Sequence, residues 1–178
     1  MRPINRLVAP AVVVAIVATA ALPSFSQSLV IAEFMASNQS SIRDDDGDHE
    51  DWIEVLNQGT MVVNLEGWFL TDNAADLNKW AFPEVTLDPG DRLLVFASAK
   101  DRQDPNGTLH TNFKLASEGE YLAIVRPDGL TVEHHFSPSF PLQAQDISYG
   151  LQQVTSATTL IGPDAVSYTH LTLPTNCV

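Results

Sequence analysis

An acidic run in the first third of the chain, DDDGDHEDWIEVLN from Asp44 to Asn57, has the residue types that bind calcium or carry out acid–base catalysis. It holds seven carboxylates and a single glycine, Gly47. An EF-hand loop needs oxygen ligands at its first, third and fifth positions, glycine at the sixth and glutamate at the twelfth. Placing Gly47 sixth puts Ile42 first and Ile53 twelfth, and starting at Asp44 puts a histidine at the glycine position. The run therefore does not form an EF-hand.

A less regular calcium site is compatible with the same residues. Gly47 lets the backbone fold back on itself, so that several nearby carboxylates can converge. Like charges held this close repel one another, and a bound cation would relieve that repulsion. We predict a weak calcium site, in the extracellular millimolar range, formed by Asp44, Asp46, Asp48 and Asp51. The alternative is a solvated acidic loop that leads into a strand and binds no metal.

Two glutamates raise the question of catalysis. In a strand over DWIEVLN, Glu54 shares a face with Trp52, and Ile53 lies on the other face. Glu54 is a surface carboxylate if the Ile53 face is buried, and it needs a partner if the Trp52 face is buried. Glu33 poses the same question, and a backbone amide or a base such as Arg92 is a suitable partner. Acid–base catalysis by two carboxylates is less favoured, because the sequence indicates neither a nucleophile nor a sugar-binding cleft beside them.

Histidine and cysteine chemistry is also weakly indicated. His134 and His135 are neighbours on a predicted strand, so they face opposite sides and do not readily bind one metal. We expect His134 to be half-buried and hydrogen-bonded, and a zinc site of His110 with an acidic residue is a less favoured alternative. The chain has no G-x-S-x-G motif, no phosphate-binding glycine loop and only one cysteine, Cys177. We therefore predict that the protein is not an enzyme and that, calcium apart, it has no cofactor.

The N-terminal residues 1–26 are typical of a secretory signal peptide. Arg2 and Arg6 precede an apolar run from Leu7 to Leu22, and small residues follow it. The run is short and rich in small residues, which favours cleavage after Ser26 over a retained membrane anchor. We expect the protein to be secreted or to lie on the cell surface, free of the membrane once the signal is cleaved.

The charge of the mature chain restricts its partners. Seven basic and 22 acidic residues follow Ser26, which gives a net charge of −15. Such a surface repels phosphate backbones and anionic lipid headgroups, so neither nucleic acid nor a membrane surface is an expected partner. A protein or a glycan is expected instead. With a single cysteine no intramolecular disulfide forms, and the core of one domain must supply the stability.

Short β-prone runs separated by Gly, Pro, Asn and Asp fill the chain from Leu29 to Leu151. We predict about nine strands, at 29–36, 52–56, 61–65, 67–71, 79–82, 92–97, 121–126, 131–136 and 146–149. No window outside the signal has a helical apolar stripe. The turn Pro127-Asp128-Gly129 predicts a hairpin. Pro89-Gly90 ends a run before a strand with two apolar faces, which is typical of a central strand.

These strands indicate an all-β domain. The number and irregular spacing of the strands favour an immunoglobulin-like two-sheet sandwich, with Trp52, Trp68 and Trp80 available for its core. A closed barrel is the alternative.

Ordered sequence blocks resemble one known family. The blocks are IAEFMASN, DDDGDHEDWIEVLN, VNLEGWFLTD, WAFP, LDPGDRLLVFASAKDR, LHTNFKLASEGEYLAIVRPDG and DISYG. From Leu29 to Gly150 they resemble the lamin tail domain as it occurs in secreted bacterial multidomain proteins. The resemblance implies an immunoglobulin-like sandwich without catalytic machinery, used for interaction or as an accessory module. Leu151 stands where the family commonly has arginine, and no heptad region is present, so filament assembly and nuclear roles do not carry over.

We therefore expect a signal peptide at 1–26, a lamin-tail-like domain at 28–151 and a linker at 152–165. The last residues, 166–178, resemble a translated sequencing-adapter tail and are expected to be non-native or disordered. The predicted function is that of a non-catalytic exported interaction or accessory domain, part of a larger secreted or cell-surface protein. One alternative is a calcium-dependent adhesion or carbohydrate-binding module. Another is the N-terminal fragment of a secreted enzyme whose catalytic domain is missing.

Overall fold

The computed structural model describes residues 28–151, which form eleven strands and no helix. The strands are Leu29–Met35 (β1), Asp51–Asn57 (β2), Val63–Asn64 (β3), Phe69–Thr71 (β4), Trp80–Ala81 (β5), Thr86–Leu87 (β6), Arg92–Ala97 (β7), Leu109–His110 (β8), Leu122–Val125 (β9), Val132–Phe136 (β10) and Tyr149–Gly150 (β11). This part of the chain contains no helix that could span a membrane. The predicted signal peptide, linker and tail lie outside the described residues.

The strands form an immunoglobulin-like sandwich, as predicted. A five-stranded sheet has the order β11-β1-β2-β7-β8, and a four-stranded sheet has the order β10-β9-β4-β5. A small third sheet pairs β3 with β6. All pairs are antiparallel except β7 with β8. The sheets stay separate and do not close into the barrel considered as the alternative.

The main core lies between the sheets and settles the orientation of β2. Ile53 and Val55 are fully buried in the main core, which leaves Trp52 and Glu54 on the outer face of the sheet. Trp52 is nevertheless buried, in a separate small cluster with Met35 and Phe96. Of the three tryptophans available for the core, two therefore serve the main core. Trp68 and Trp80 belong to the main core, and Trp52 covers the outer face.

A β-bulge in β1 overturns the simple alternation expected around Glu33. The pairing with β2 shifts between Ile31↔Val55 and Glu33↔Glu54, which leaves Ala32 as the extra residue. Ile31 and Phe34 can then both be fully buried in the core, although they are three residues apart. Glu33 consequently leaves the face of Ile31, and it stays partly exposed on the outer side of the sheet.

Both turns read from the sequence are present. The backbone of Arg126 pairs with Thr131 across the β9–β10 hairpin, and Gly129 has a φ of 68°. A Cβ on Gly129 would also lie 2.7 Å from the side-chain oxygen of Asn78, so the positive φ and this contact both favour glycine. Asp128 accepts both a backbone and a hydroxyl hydrogen bond from Thr131, and these bonds lower the pKa of Asp128 to about 2.

Two of the five two-residue strands of residues 28–151, β6 and β8, escaped prediction. β6 and β8 each have two residues, too few to show a period of two, and neither was predicted. The predicted strand at 61–65 reduces to β3, and the one at 146–149 shifts to β11. β7 lies between β2 and β8, as expected of a central strand, but Leu94 on its outer face is 38% exposed.

His134 joins the two large sheets. It is half-buried on β10, and its Nδ1 accepts a hydrogen bond from the backbone N–H of Ile31 at 3.3 Å. The ring must be unprotonated at Nδ1 to accept this bond. Burial, with a smaller contribution from the neighbouring His135, lowers the pKa of His134 below its ordinary value. The expectation of a hydrogen-bonded strand histidine is met.

This arrangement predicts that part of the stability of the domain is lost in mild acid. The folded state holds His134 neutral, so the unfolded state binds more protons below about pH 6.5. The contribution of neutral His134 to the free energy of unfolding is complete above about pH 6.5, and it is lost as the pH falls through the lowered pKa of His134. Urea unfolding between pH 7.5 and 5 measures it. His134→Gln should flatten this part of the profile, and His49→Gln is the control, because His49 is not among the groups that shift the pKa of His134; identical profiles for wild type and His134→Gln would contradict the prediction.

Candidate functional site

The acidic loop, residues 44–48, is closed by its own hydrogen bonds. Oδ1 of Asp44 accepts the backbone N–H groups of Asp46 at 3.0 Å and Asp48 at 2.9 Å. Gly47 has a φ of 87°, which allows the chain to fold back as the sequence predicts. The buried amide of Asn38 donates to the carbonyls of residues 42 and 50 and so ties the two ends of the surrounding segment together.

Three of the four predicted calcium ligands converge on a lysine. Nζ of Lys100 lies 2.5 Å from Asp44, 2.8 Å from Asp46 and 3.0 Å from Asp48. Burial by itself would lower the pKa of Lys100, but the hydrogen bonds to the three carboxylates outweigh it and raise the pKa. Hydrogen bonds from Arg102 and then Lys100 lower the pKa of Asp46 to about 2. The ammonium group thus neutralises part of the charge that was expected to attract a metal.

Arg102 and His110 engage the rest of the acidic loop. Arg102 contacts Asp46 at 2.6 Å and Asp45 at 3.2 Å. The fully buried His110 lies 3.1 Å from Asp45 through Nε2 and 2.8 Å from the hydroxyl of Ser98 through Nδ1. This histidine was considered only for zinc, and its position beside the acidic loop could not be read from its sequence spacing.

The backbone that carries Lys100 and Arg102 has an unusual conformation. Ala99 and Asp101 have φ values of 62° and 53°, in the left-handed region that non-glycine residues rarely adopt. Hydrogen bonds from their N–H groups to the carbonyls of residues 113 and 111 hold this conformation. Local strain of this kind persists where surrounding contacts enforce it, and here the contacts present both basic side chains to the acidic loop.

Asp51, the fourth predicted ligand, lies apart from the three carboxylates around Lys100. It begins β2, and its Oδ1 accepts the backbone N–H of Asn38 at 3.2 Å. Burial raises the pKa of Asp51. In this position the carboxylate fixes the start of the strand.

Two groups in the described residues have donor sets that suit a metal. Carboxylate oxygens of Asp44, Asp46 and Asp48 lie within 4.8 Å of one another, and so do ligand atoms of Asp44, Asp45 and His110. Three carboxylates match the preference of calcium, but the ion would have to displace Lys100. The mixed set with His110 suits zinc better. The calcium site stays a prediction, and the zinc site stays the less favoured alternative.

A second polar feature is a groove of about 810 Å³ on the outer face of the five-stranded sheet. We call it the outer groove. It is lined by Val30, Ala32, Glu33, Glu54, Leu56, Gln58, Arg92, Gly150 and Leu151. Arg92 forms an ion pair with Glu54, so the suggestion of Arg92 as the partner of Glu33 is wrong. Glu33 instead accepts a hydrogen bond from the hydroxyl of Ser148.

Sequence reasoning missed the outer groove because the β1 bulge is invisible in the residue pattern. With strict alternation Glu33 would face the core with Ile31, and no pair of glutamates would meet on the outside. The one signal in the sequence is the cost of burying the carboxylate of Glu33 beside Ile31. The bulge avoids this cost because it places Glu33 on the outer face.

Comparison with known families identifies one match. Residues 23–137 match the model of the Lamin Tail Domain family. β11 lies outside the matched residues, although the resemblance seen in the sequence extends to Gly150. A search of curated proteins finds no match.

The first prediction from this site concerns stability. Lys100→Met keeps the aliphatic stem but leaves the buried carboxylate of Asp44 without its charged partner. We expect a loss of about 1.5 to 3 kcal/mol in the free energy of unfolding, as for other hydrogen bonds to charged groups. Lys114→Met is the matched control, because its pair with Glu50 is exposed and should contribute at most about 0.5 kcal/mol. Equal losses for the two variants would show that the acidic loop does not depend on Lys100.

The second prediction concerns calcium. Because Lys100 and calcium compete for the same three carboxylates, Lys100→Met should bind calcium about tenfold more tightly than the wild-type chain. Calorimetric titration up to several millimolar, with melting temperatures measured in parallel, compares the two. Adding Asp48→Asn to Lys100→Met should weaken the binding again. If neither the wild type nor Lys100→Met releases or takes up heat, the predicted calcium site is wrong.

Proposed function

Because the chain belongs to the lamin tail domain family, we propose that it acts as a non-catalytic exported domain that binds a partner, within a larger secreted or cell-surface protein. Lamin tail domains are immunoglobulin-like domains without enzymatic activity, and the family match is the observation that carries the proposal. A sandwich of this kind offers sheet faces and loops as binding surfaces.

The charged side chains of the described domain support a binding role. Those that could serve acid–base chemistry are engaged with neighbours in the fold. Glu54 pairs with Arg92, Glu33 bonds with Ser148, and the acidic loop surrounds Lys100. Such pairs order the surface of a domain without supplying a nucleophile. The one hydroxyl described beside a histidine and a carboxylate, that of Ser98 at His110, is buried at 4% exposure.

The surface favours a protein over a glycan as the partner. Carbohydrate-binding modules stack sugars on exposed aromatic rings. Here the three tryptophans are buried, and Tyr149 is the one aromatic residue among the large exposed hydrophobic side chains of residues 28–151.

In the other alternative the chain would be the first part of a secreted enzyme. The full open reading frame distinguishes a non-catalytic interaction domain from the first part of an enzyme, because it shows whether a catalytic domain follows.

Export is supported by the N-terminal sequence pattern and can be tested directly. The full chain, with its own N-terminal residues retained, is expressed in a bacterium. The protein should appear outside the cytoplasm, and its mass should show that residues 1–26 have been removed. Val14→Asp places a charge in the apolar run and should leave the protein full-length inside the cell. Recovery of the wild-type chain in the cytoplasm at full mass would overturn the proposed export.

Partner binding is tested with the exported protein. The immobilised chain should retain a protein from the extracellular medium, and an excess of free chain should compete it away. Lys114→Met, which removes the ion pair of the exposed Lys114 with Glu50, should retain the same protein. Retention of nucleic acid or lipid alone would contradict the proposal.

A further inference from the structure

Two glutamates stand directly opposite each other on neighbouring strands. Glu33 of β1 pairs in register with Glu54 of β2, and both line the outer groove. Like charges in opposed cross-strand positions destabilise a sheet. The bulge at Ala32 creates this arrangement, and bulges commonly re-aim a side chain beside a functional site. Arg92 pairs with Glu54 and relieves part of this repulsion, which leaves Glu33 as the carboxylate that a further positively charged group would stabilise.

The floor of the outer groove is apolar and its wall is fixed. Val30 and Ala32 are buried at 2% and 7% exposure, and Leu56 is half-buried beside them. The N–H of Leu151 donates to the carbonyl of Ala32 at 2.8 Å. A Cβ on Gly150 would lie 2.9 Å from the same carbonyl, so the wall approaches β1 as closely as a backbone can. An occupant must combine aliphatic contact with a polar end.

The charge of the outer groove is incompletely balanced. Arg92 neutralises Glu54, whereas Ser148 offers Glu33 only a hydroxyl group. The other basic side chains of residues 28–151 have acceptors elsewhere, in five ion pairs and one hydrogen bond. These contacts are Lys79 with Asp72, Lys100 with Asp44, Arg102 with Asp46, Lys114 with Glu50, Arg126 with Glu133 and Arg43 with the carbonyl of Gly47. Each of these cations is therefore already engaged within the described domain.

We propose that the outer groove binds an extended segment of a partner protein through a lysine or arginine side chain. The methylene groups of that side chain lie on Val30 and Leu56, and its charged end reaches Glu33 beside Glu54. Long basic side chains bury their stems and keep their charge at a polar partner in this way. The inference rests on the proposed partner-binding function and assigns it a site and a partner chemistry.

The charge of the domain favours this class of partner over others. An acidic surface speeds the approach of basic partners and repels anionic ones. The absence of an exposed aromatic row in residues 28–151 disfavours a sugar in the groove.

The test uses the full chain, labelled with nitrogen-15, and the acetylated and amidated peptide VKVKV as the probe. Saturable shifts of the amide signals of Glu33, Glu54 and Gly150 are expected, and they should weaken as salt is raised. Glu33→Gln should reduce the affinity about tenfold. Glu66→Gln removes the same charge from an exposed position outside the outer groove and should leave the affinity unchanged. The peptide VEVEV should produce no shifts.

Each other outcome overturns the inference. Shifts confined to the acidic loop would show that the lysine side chains of the peptide bind at Asp45 or Asp46. Equal affinities of the peptide for Glu33→Gln and Glu66→Gln would show a general attraction to the acidic surface and no specific site. Shifts at Glu33 that depend on protein concentration without peptide would identify a second copy of the chain as the occupant. The amide spectra of both variants report whether they fold. Partner capture by the exported chain tests the proposed function separately, so its success with no peptide shifts would reject the outer groove alone.

Discussion

Strand β1 has to place side chains correctly on both the core face and the outer face of its sheet, and the rest of the sandwich depends on this placement. It pairs with β2 and β11 within its sheet and packs against β9 and β10 across the core. The bulge at Ala32 lets Ile31 and Phe34 both enter the core while Glu33 stays outside. Without the extra residue, one of these side chains would be on the wrong face, at the cost of burying a carboxylate or exposing a phenylalanine.

The acidic loop solves its charge problem within the chain. A dense group of carboxylates can be stabilised by a metal ion or by basic side chains, and here Lys100 and Arg102 occupy the positions from which a cation would act. Holding them there requires left-handed backbone at Ala99 and Asp101. The pairs of Arg102 are exposed and contribute little to stability, and the pair of Lys100 with the buried Asp44 gains little beyond its desolvation cost, so their main effect is to fix the position of the loop.

The sequence predicted what depends on local pattern and missed what depends on tertiary register. The long strands, the hairpin at Gly129 and the all-β class follow from alternation and turn residues, and they are correct. The approach of Lys100 to Asp44 joins positions 56 residues apart, and no periodicity encodes such a contact. The bulge is a one-residue change of register, so it altered the environment of Glu33 while leaving the strand itself correctly predicted.

The described domain uses its basic residues internally and leaves its negative charge for the outside. Each lysine and arginine of residues 28–151 contacts a carboxylate or a carbonyl, so the excess of acidic residues defines the surface. A partner that brings positive charge therefore meets few competing cations on this surface. Such charge accelerates encounter with many basic molecules, but it discriminates poorly among them. Specificity has to come from shape, and the outer groove is where this domain combines a fixed wall, an apolar floor and the carboxylate of Glu33, whose neighbour Ser148 offers it only a hydroxyl group.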